Sequence, residues 1–242
     1  MPTPARLVAH YDTKYQNANF AQVVPVPVLA SPRNRTQMLV NMALETDGGS
    51  YLEIGAGDGS TLLALKHHYD RLVGADLSAV RIQQLQLLFR NDPHVLTLQN
   101  NIEIDGLPFS DNEFDCAAMA DVIEHFIDPI GALRELHRVL KRGGRLIVLT
   151  PNIAKWTRRL KLMAGYFPST ASLQEGLVCY DGHTPTDLHD EGHLHYFTYR
   201  SLSRLSIERA GFSRAENRGY GTLILGKLWP QMFSDLCTVL HK

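Results

Sequence analysis

The feature that most constrains the fold of this chain is a glycine-rich turn, Gly55-Ala56-Gly57-Asp58-Gly59. The turn follows a short apolar segment at residues 51–54, which predicts a strand, and precedes a predicted helix at residues 60–69. Glycines let the backbone approach a ligand closely and aim the N-terminus of the following helix at it. This order of strand, turn and helix is typical of α/β proteins that bind dinucleotides or adenosyl ligands.

Strands and helices continue to alternate after the turn. The predicted strands cover residues 72–76, 95–98, 114–120 and 145–150, and the predicted helices cover residues 78–90 and 129–141. Such alternation implies right-handed crossovers and a parallel sheet. With two more strands predicted near residues 223–225 and 239–240, we expect an α/β, doubly wound, Rossmann-like and mostly parallel seven-stranded sheet with helices on both faces.

Two segments lie outside the alternation and are predicted to form a small cap. Residues 1–47 are expected to be an N-terminal arm and helix, and residues 48–242 the main domain. Within that domain, residues 151–198 are an expected cap insertion, with a basic amphipathic helix near residues 153–164 and a polar loop rich in His and Asp. Irregular segments of this kind usually determine which ligand a scaffold accepts.

Charge and cysteine content restrict the function classes. The formal net charge of the 242 residues is −1, which provides no general attraction to nucleic acid or to anionic membranes. The three cysteines are widely separated and suggest neither a disulfide framework nor a zinc site. No stretch approaches the ~20 apolar residues of a membrane-spanning helix. We expect a cytoplasmic monomer or homodimer with no nucleic-acid partner and no stable membrane insertion.

Two carboxylates flank the turn and favour a cationic ligand. Glu53 lies just before the turn, where it would repel a pyrophosphate but suit a ligand with an ammonium and a sulfonium group. Asp76 ends the next strand, 21 residues after Gly55, where a carboxylate can accept both ribose hydroxyls. Ser60 occupies the position of the third glycine in the pyrophosphate fingerprint. These details disfavour a nicotinamide oxidoreductase.

The segment from Leu52 to Ser60 resembles motif I of class I S-adenosylmethionine-dependent methyltransferases. The resemblance continues, in the order of that family, through residues 73–78, 106–115, 121–129, 140–144 and 150–152. Residues 193–198 and 210–212 are similar to its broad small-molecule branch, near the ubiquinone-type, natural-product and surface-sugar enzymes. The resemblance implies S-adenosyl-L-methionine as methyl donor, S-adenosyl-L-homocysteine as product and a small-molecule acceptor.

The resemblance also implies roles for individual residues. Glu53 and Gly55 would hold the methionine amino end, Asp76 would bind the ribose, and Ala120 and Asp121 would lie below the methionine part. The implied cofactor-binding residues are Glu53, Gly55, Ala56, Gly57, Asp76, Leu77, Asn101, Ile102, Ala120 and Asp121. Many relatives have Asp where this chain has Asn101, or Glu103 if the register shifts by two. An Asn oxygen can still accept a bond from the adenine amino group.

The acceptor side is less constrained by the sequence. Methyl transfer requires alignment in a dry pocket, and a hydroxyl acceptor also requires a base. The candidate catalytic residues are His125, His193 and His195, for which structural hydrogen bonding or packing of a lid is the alternative. The candidate substrate-binding residues are Glu124, Tyr11 and Tyr15, and the tyrosines could equally be surface residues.

Two other polar segments have both a functional and a structural interpretation. One is a cluster on the late loop, with the members Asp187, His189, Asp190, His193 and His195. Its spacing matches no closed zinc pattern, so no metal ion is predicted there. The basic helix with Trp156 could receive a phosphate, an acyl carrier or a membrane-bound acceptor, or could simply present a solvated face.

Taken together, the motifs predict an enzyme that methylates a small or medium-sized organic acceptor, with oxygen as the expected position and carbon and nitrogen as alternatives. A lipid- or carrier-linked acceptor is one alternative, and a non-catalytic adenosyl-binding partner protein is another.

Overall fold

The computed structural model describes Asp12 and residues 23–170, 193–220 and 224–242. A seven-stranded sheet with the order β3-β2-β1-β4-β5-β7-β6 forms the centre. Its strands are β1 (Ser50–Ile54), β2 (Arg71–Asp76), β3 (Val95–Gln99), β4 (Phe114–Ala120), β5 (Leu140–Thr150), β6 (Arg214–Asn217) and β7 (Leu236–His241). The first five strands pair in parallel, while β7 pairs antiparallel with β5 and β6. The predicted fold class is confirmed.

Helices cover both faces of this sheet. They are α1 (Arg35–Ala43), α2 (Ser60–Leu65), α3 (Ala79–Leu88), α4 (Ile102–Asp105), α5 (Pro129–Val139), α6 (Trp156–Met163), α7 (Tyr199–Ala210), α8 (Ile224–Leu228) and α9 (Pro230–Phe233). A 3-10 turn spans Ile123–His125 after β4. None of these helices combines the length and apolar character that crossing a bilayer would require.

The central strands are apolar because both of their faces are covered. All five residues of β1 are buried, and successive side chains enter different cores. Leu52 packs in the core that contains Leu133 of α5 and Leu202 of α7. Tyr51 packs in the opposite core with Leu39 of α1 and Leu62 of α2. Two separate cores on one sheet are the expected result of doubly wound connectivity.

The strand order reverses between β1 and β4, and this reversal locates the candidate site. Because β1 leads outward to β2 and β4 leads outward to β5, their connections leave opposite faces of the sheet. A crevice forms outside the carboxyl ends of the strands at such a point, and open α/β sheets bind ligands there. The glycine turn and the segment after β4 both start at this edge.

The C-terminal part of the chain differs from the sequence prediction. The strand expected near residues 223–225 is wrong, because Ile224–Leu228 is helical and the polar segment Arg214–Asn217 is the sixth strand. Leu223 lies outside the described residues. As an edge strand that pairs only with β7, β6 needs no apolar run, so the sequence carries no strand signal there.

Candidate cofactor and acceptor site

The glycine turn adopts a backbone conformation that depends on its glycines. Gly55 and Gly57 have φ values of 72° and 56°, in the left-handed region that other residues adopt at a cost. A Cβ on Gly55 would overlap with Cγ2 of Val122, so a side chain has no room there. A Cβ on Gly57 would meet only the Gly55 carbonyl oxygen at 3.9 Å, so the surface in front of Gly57 is open.

Glu53 is a buried acid next to this turn. It is 3% exposed, and its Oε2 atom has no hydrogen-bond partner among the described residues. Burial raises the pKa of this carboxyl to about 8, and the nearby Asp58 and Asp76 raise it further, against a hydrogen bond from Thr61. A buried carboxylate oxygen without a partner is costly, so this site fits a ligand that brings a cationic group.

Asp76, at the end of β2, connects the turn to the start of α3. Its Oδ2 atom accepts a bond from the Gly57 N–H at 3.0 Å, and its Oδ1 atom accepts one from the Ser78 N–H at 2.9 Å. Each carboxylate oxygen has a second lone pair after these bonds. The geometry is compatible with the predicted contact to two ribose hydroxyls. Ser78 caps α3 as predicted, because its hydroxyl accepts from the Arg81 N–H.

The segment after β3 contains two candidates for the adenine edge, and they make different contacts. Asn101 caps α4, and its Oδ1 accepts from the Glu103 N–H at 3.1 Å. Glu103 instead reaches across to the loop after β4, where its Oε1 accepts from the N–H groups of Ile127 and Asp128, both at 2.7 Å. Glu103 thus anchors that loop, which leaves Asn101 as the candidate for the adenine edge. Ile102 beside it is buried.

The carboxyl end of β4 presents Ala120 and Asp121 at the same edge. Asp121 has φ 55°, and its N–H donates to the Leu149 carbonyl at 3.0 Å. Its Oδ2 pairs with Nη2 of Arg35, on α1, at 2.6 Å. A left-handed non-glycine residue is a strained conformation that functional sites often retain. Arg35 therefore orients a predicted site residue, although no pattern in the sequence singles it out.

Three predicted acceptor-side residues come together beyond β4. One ligand-type atom from each of Glu124, His125 and His193 lies within 4.8 Å of the other two. The two imidazole rings contact each other edge to face, with centroids 4.8 Å apart. Glu124 is 1% exposed, and its Oε2 accepts from the Thr150 hydroxyl at 2.9 Å. Burial, with Asp121 nearby, raises the pKa of Glu124 to about 7.

Backbone bonds explain how His193, distant in sequence, reaches this cluster. The Glu124 carbonyl accepts from the N–H groups of Leu194 and His195, at 2.8 and 3.1 Å. The neighbouring Phe197 forms an isolated parallel bridge with Asn152, just after β5. Segment 193–197 is thus held along the carboxyl edge of the sheet.

The remaining predicted site residues are placed apart or lie outside the described residues. The His195 ring lies beside Phe197, with centroids 6.2 Å apart. Tyr11 and Tyr15, with the loop residues Asp187, His189 and Asp190, are outside the described residues. Sequence reasoning missed Thr150 and Thr170 as site residues; the Thr170 hydroxyl lies 2.7 Å from Nδ1 of His193. Thr150 stands in a motif segment, but its orientation toward Glu124 depends on the sheet.

The basic helix α6 has less free charge than its sequence indicates. Lys155 and Arg158 pair with Asp235 at 3.1 and 2.8 Å, and Nε of Arg159 donates to the Ala154 carbonyl. No residue of α6 is buried, and the Trp156 side chain is 42% exposed. Part of the basic face therefore anchors the helix to the domain.

The site lies in a segment of the chain that is similar to known proteins. Residues 52–148 match the family model described as a methyltransferase domain. The ubiquinone/menaquinone biosynthesis C-methyltransferase UbiE of Hahella chejuensis is 39% identical over 112 residues, covering 42% of this chain and 43% of that protein. Three of the matched curated relatives are covered over only 31% to 62% of their length.

Solved structures share the fold at low sequence identity. A SAM-dependent methyltransferase from Aquifex aeolicus has a TM-score of 0.53 and 15% identity, covering 99% of this chain and 97% of that one. The [4+2]-cyclase SpnF has a TM-score of 0.59 and 21% identity, covering 89% and 76%. Because a cyclase shares it, the fold alone does not specify a reaction. Residues 52–148 are therefore similar to a methyltransferase domain, and within this sheet they carry the motifs that resemble class I S-adenosylmethionine-dependent methyltransferases.

Proposed function

We propose that this chain transfers a methyl group from S-adenosylmethionine to a small or medium-sized organic acceptor and releases S-adenosylhomocysteine. The observation that carries the proposal is the buried Glu53 carboxylate, whose Oε2 has no partner among the described residues, beside the open surface of Gly57. This arrangement suits the positively charged methionine end of the donor. When bound, the donor supplies a methyl group attached to a sulfonium sulfur, and the neutral thioether that remains is a good leaving group.

The described residues support a complete binding mode for the donor. Glu53 and the turn residues Gly55, Ala56 and Gly57 would hold the methionine end, with Ala120 and Asp121 below it. Asp76 would accept the ribose hydroxyls through its free lone pairs. Leu77 would pack on adenine, with Ile102 alongside, and Asn101 would accept from the adenine amino group.

We assign the acceptor side to Glu124, His125 and His193, because they lie together at the edge where β4 ends. An acceptor hydroxyl there would need its proton removed, and an imidazole within hydrogen-bond reach can accept it. His195 shares the same segment and is the alternative base. This arrangement favours methylation at oxygen.

Carbon methylation is the second candidate, because the similar UbiE proteins are described as C-methyltransferases. A lipid- or carrier-linked acceptor is a further candidate, which the exposed apolar residues of α6, such as Trp156 and Leu160, support. A non-catalytic adenosyl-binding partner would bind the donor without turnover.

Calorimetry with S-adenosylmethionine, S-adenosylhomocysteine and NAD tests the donor. We expect both adenosyl ligands to bind and NAD to bind far more weakly. Binding of NAD without adenosyl binding would reject the proposal. Methyl-labelled donor and a panel of phenols, hydroquinones and hydroxy acids would then test transfer. The 13C shift of the methyl group distinguishes oxygen from carbon products, and binding without any labelled product would favour the partner role.

A further inference from the structure

The cluster of Glu124, His125 and His193 has the composition of a metal site. It offers one carboxylate oxygen and two imidazole nitrogens, all within 4.8 Å of one another. Oxygen and imidazole ligands in this combination bind divalent first-row transition ions in proteins. Because bonds of about 2.0–2.2 Å place two ligand atoms at most ~4.4 Å apart, the side chains need to move by about 1 Å or less.

Glu124 provides the strongest indication that a cation belongs here. The residue is 1% exposed, and its Oε2 accepts a bond from the Thr150 hydroxyl. Its Oε1 has no hydrogen-bond partner among the described residues. An unpaired oxygen of a buried carboxylate loses its hydration without compensation. A bound cation would supply that compensation directly.

Further contacts hold the ligands in place. The Thr170 hydroxyl lies 2.7 Å from Nδ1 of His193, the kind of outer hydrogen bond that orients histidine ligands. The backbone bonds from Leu194 and His195 to the Glu124 carbonyl bind the His193 segment to the 3-10 turn that carries the other two ligands. Two segments distant in sequence are thus fixed around one point.

We propose that Glu124, His125 and His193 bind a divalent first-row transition-metal ion at the carboxyl edge of β4. The sequence predicted no metal site, and this site differs from the loop cluster considered there, with His193 as the shared residue. Three protein ligands leave coordination positions open. An acceptor hydroxyl oxygen would fill one of them and become more acidic, a role that rests on the proposed methyl transfer. Because His125 and His193 would then be metal ligands, His195, the alternative base, would take the hydroxyl proton.

The test is a titration of tag-free, chelator-treated full-length protein with Co²⁺ alone, followed by its visible d–d absorption. We expect one Co²⁺ per chain. The near-isosteric Glu124→Gln and the truncation His193→Ala should each weaken Co²⁺ binding by about 100-fold or more. His195→Ala is the matched control, because its ring lies beside Phe197 and its backbone N–H bond to Glu124 is retained.

Two further measurements make every outcome decisive. Thermal unfolding verifies that each variant is folded, and Glu124→Gln keeps the test valid if His193→Ala does not fold. Absence of saturable Co²⁺ binding, or equal binding by wild type and Glu124→Gln, would overturn the metal site. Calorimetry with S-adenosylhomocysteine on the same samples tests the proposed function separately, so that either can fail while the other stands.

Discussion

The two halves of the site are built in different ways. Most of the donor half, around β1 and β2, comes from residues 53–78, one continuous stretch of chain. The ends of β3 and β4 add the candidates Asn101, Ile102, Ala120 and Asp121. The acceptor half joins residues 122–125, Thr150, Thr170 and segment 193–197. A binding site built from one stretch of chain can be shared by many proteins that use the same cofactor. A site assembled from distant segments can differ between proteins that accept different substrates.

The stability of the glycine turn should depend on the close approach of Gly55 to Val122, which lies in the acceptor half. Gly55→Ala should reduce the free energy of unfolding by about 3 kcal/mol, because the left-handed backbone is strained and the new methyl group would meet Val122. Gly143→Ala is a control for strain alone, since its φ is 79° and nothing lies within 4 Å of the added Cβ; it should cost about 1 kcal/mol. Urea unfolding measures both. Equal losses would show that the Val122 contact is unimportant.

Asp235 should stabilise the acceptor half without affecting the donor half. Burial alone would raise its pKa, but Lys155 and Arg158 lower it to about 2. Because a depressed pKa favours the ionised folded form, its stabilisation is present above about pH 4 and declines as the pH falls toward about 2. Asp235→Asn should therefore cost about 2 kcal/mol of unfolding free energy at pH ~7 and flatten that acid dependence.

The affinity of Asp235→Asn for S-adenosylhomocysteine, measured by calorimetry, should equal that of the wild type. Glu208→Gln, which removes an exposed pair with Arg204, is the control and should leave unfolding unaffected. A large loss of ligand affinity in Asp235→Asn would mean that the two halves are not separable.

Asp76 should act mainly on the donor. Asp76→Ala should weaken S-adenosylhomocysteine binding by about 1–3 kcal/mol, because the ribose hydroxyls and the N–H groups of Gly57 and Ser78 lose their acceptor. Calorimetry measures the change, and Asp76→Asn serves as the variant of similar size. Unchanged affinity in Asp76→Ala would refute the ribose assignment.

Glu53 should make donor binding depend on pH. Burial raises the pKa of this carboxyl to about 8, and Asp58 and Asp76 add to the rise. Tyr51 and Thr61 are also adjacent to it. The carboxyl is therefore mostly protonated near neutral pH. Binding of an ammonium group favours the ionised form, so about one proton should be released per ligand at pH ~7. Affinity should rise between about pH 6 and 8 by up to about tenfold per unit.

Calorimetry of S-adenosylhomocysteine binding in buffers of different ionisation enthalpy counts the released protons. Glu53→Gln cannot ionise, so it should bind more weakly and lose the proton release. Identical proton release by Glu53→Gln would show that another group titrates.

The sequence predicts the donor half in detail because its signals are local. The Gly55 to Gly59 turn, the Ser78 cap and the carboxylates at two strand ends depend only on neighbouring residues and on strand alternation. The structure confirms the predicted sheet, and it brings Glu53 and Asp76 close enough to influence each other. Their roles toward the donor stay predictions.

The sequence alone determined that this chain forms a doubly wound sheet with an anionic, glycine-lined edge. The spacing of apolar residues and the backbone conformations that glycine allows are local properties that depend on only a few neighbouring residues. Only the tertiary structure decided that His193 meets His125 and Glu124, that Arg35 pairs with Asp121, and that the polar segment 214–217 becomes a strand. Contacts between distant segments depend on how packed elements align, which no local pattern encodes.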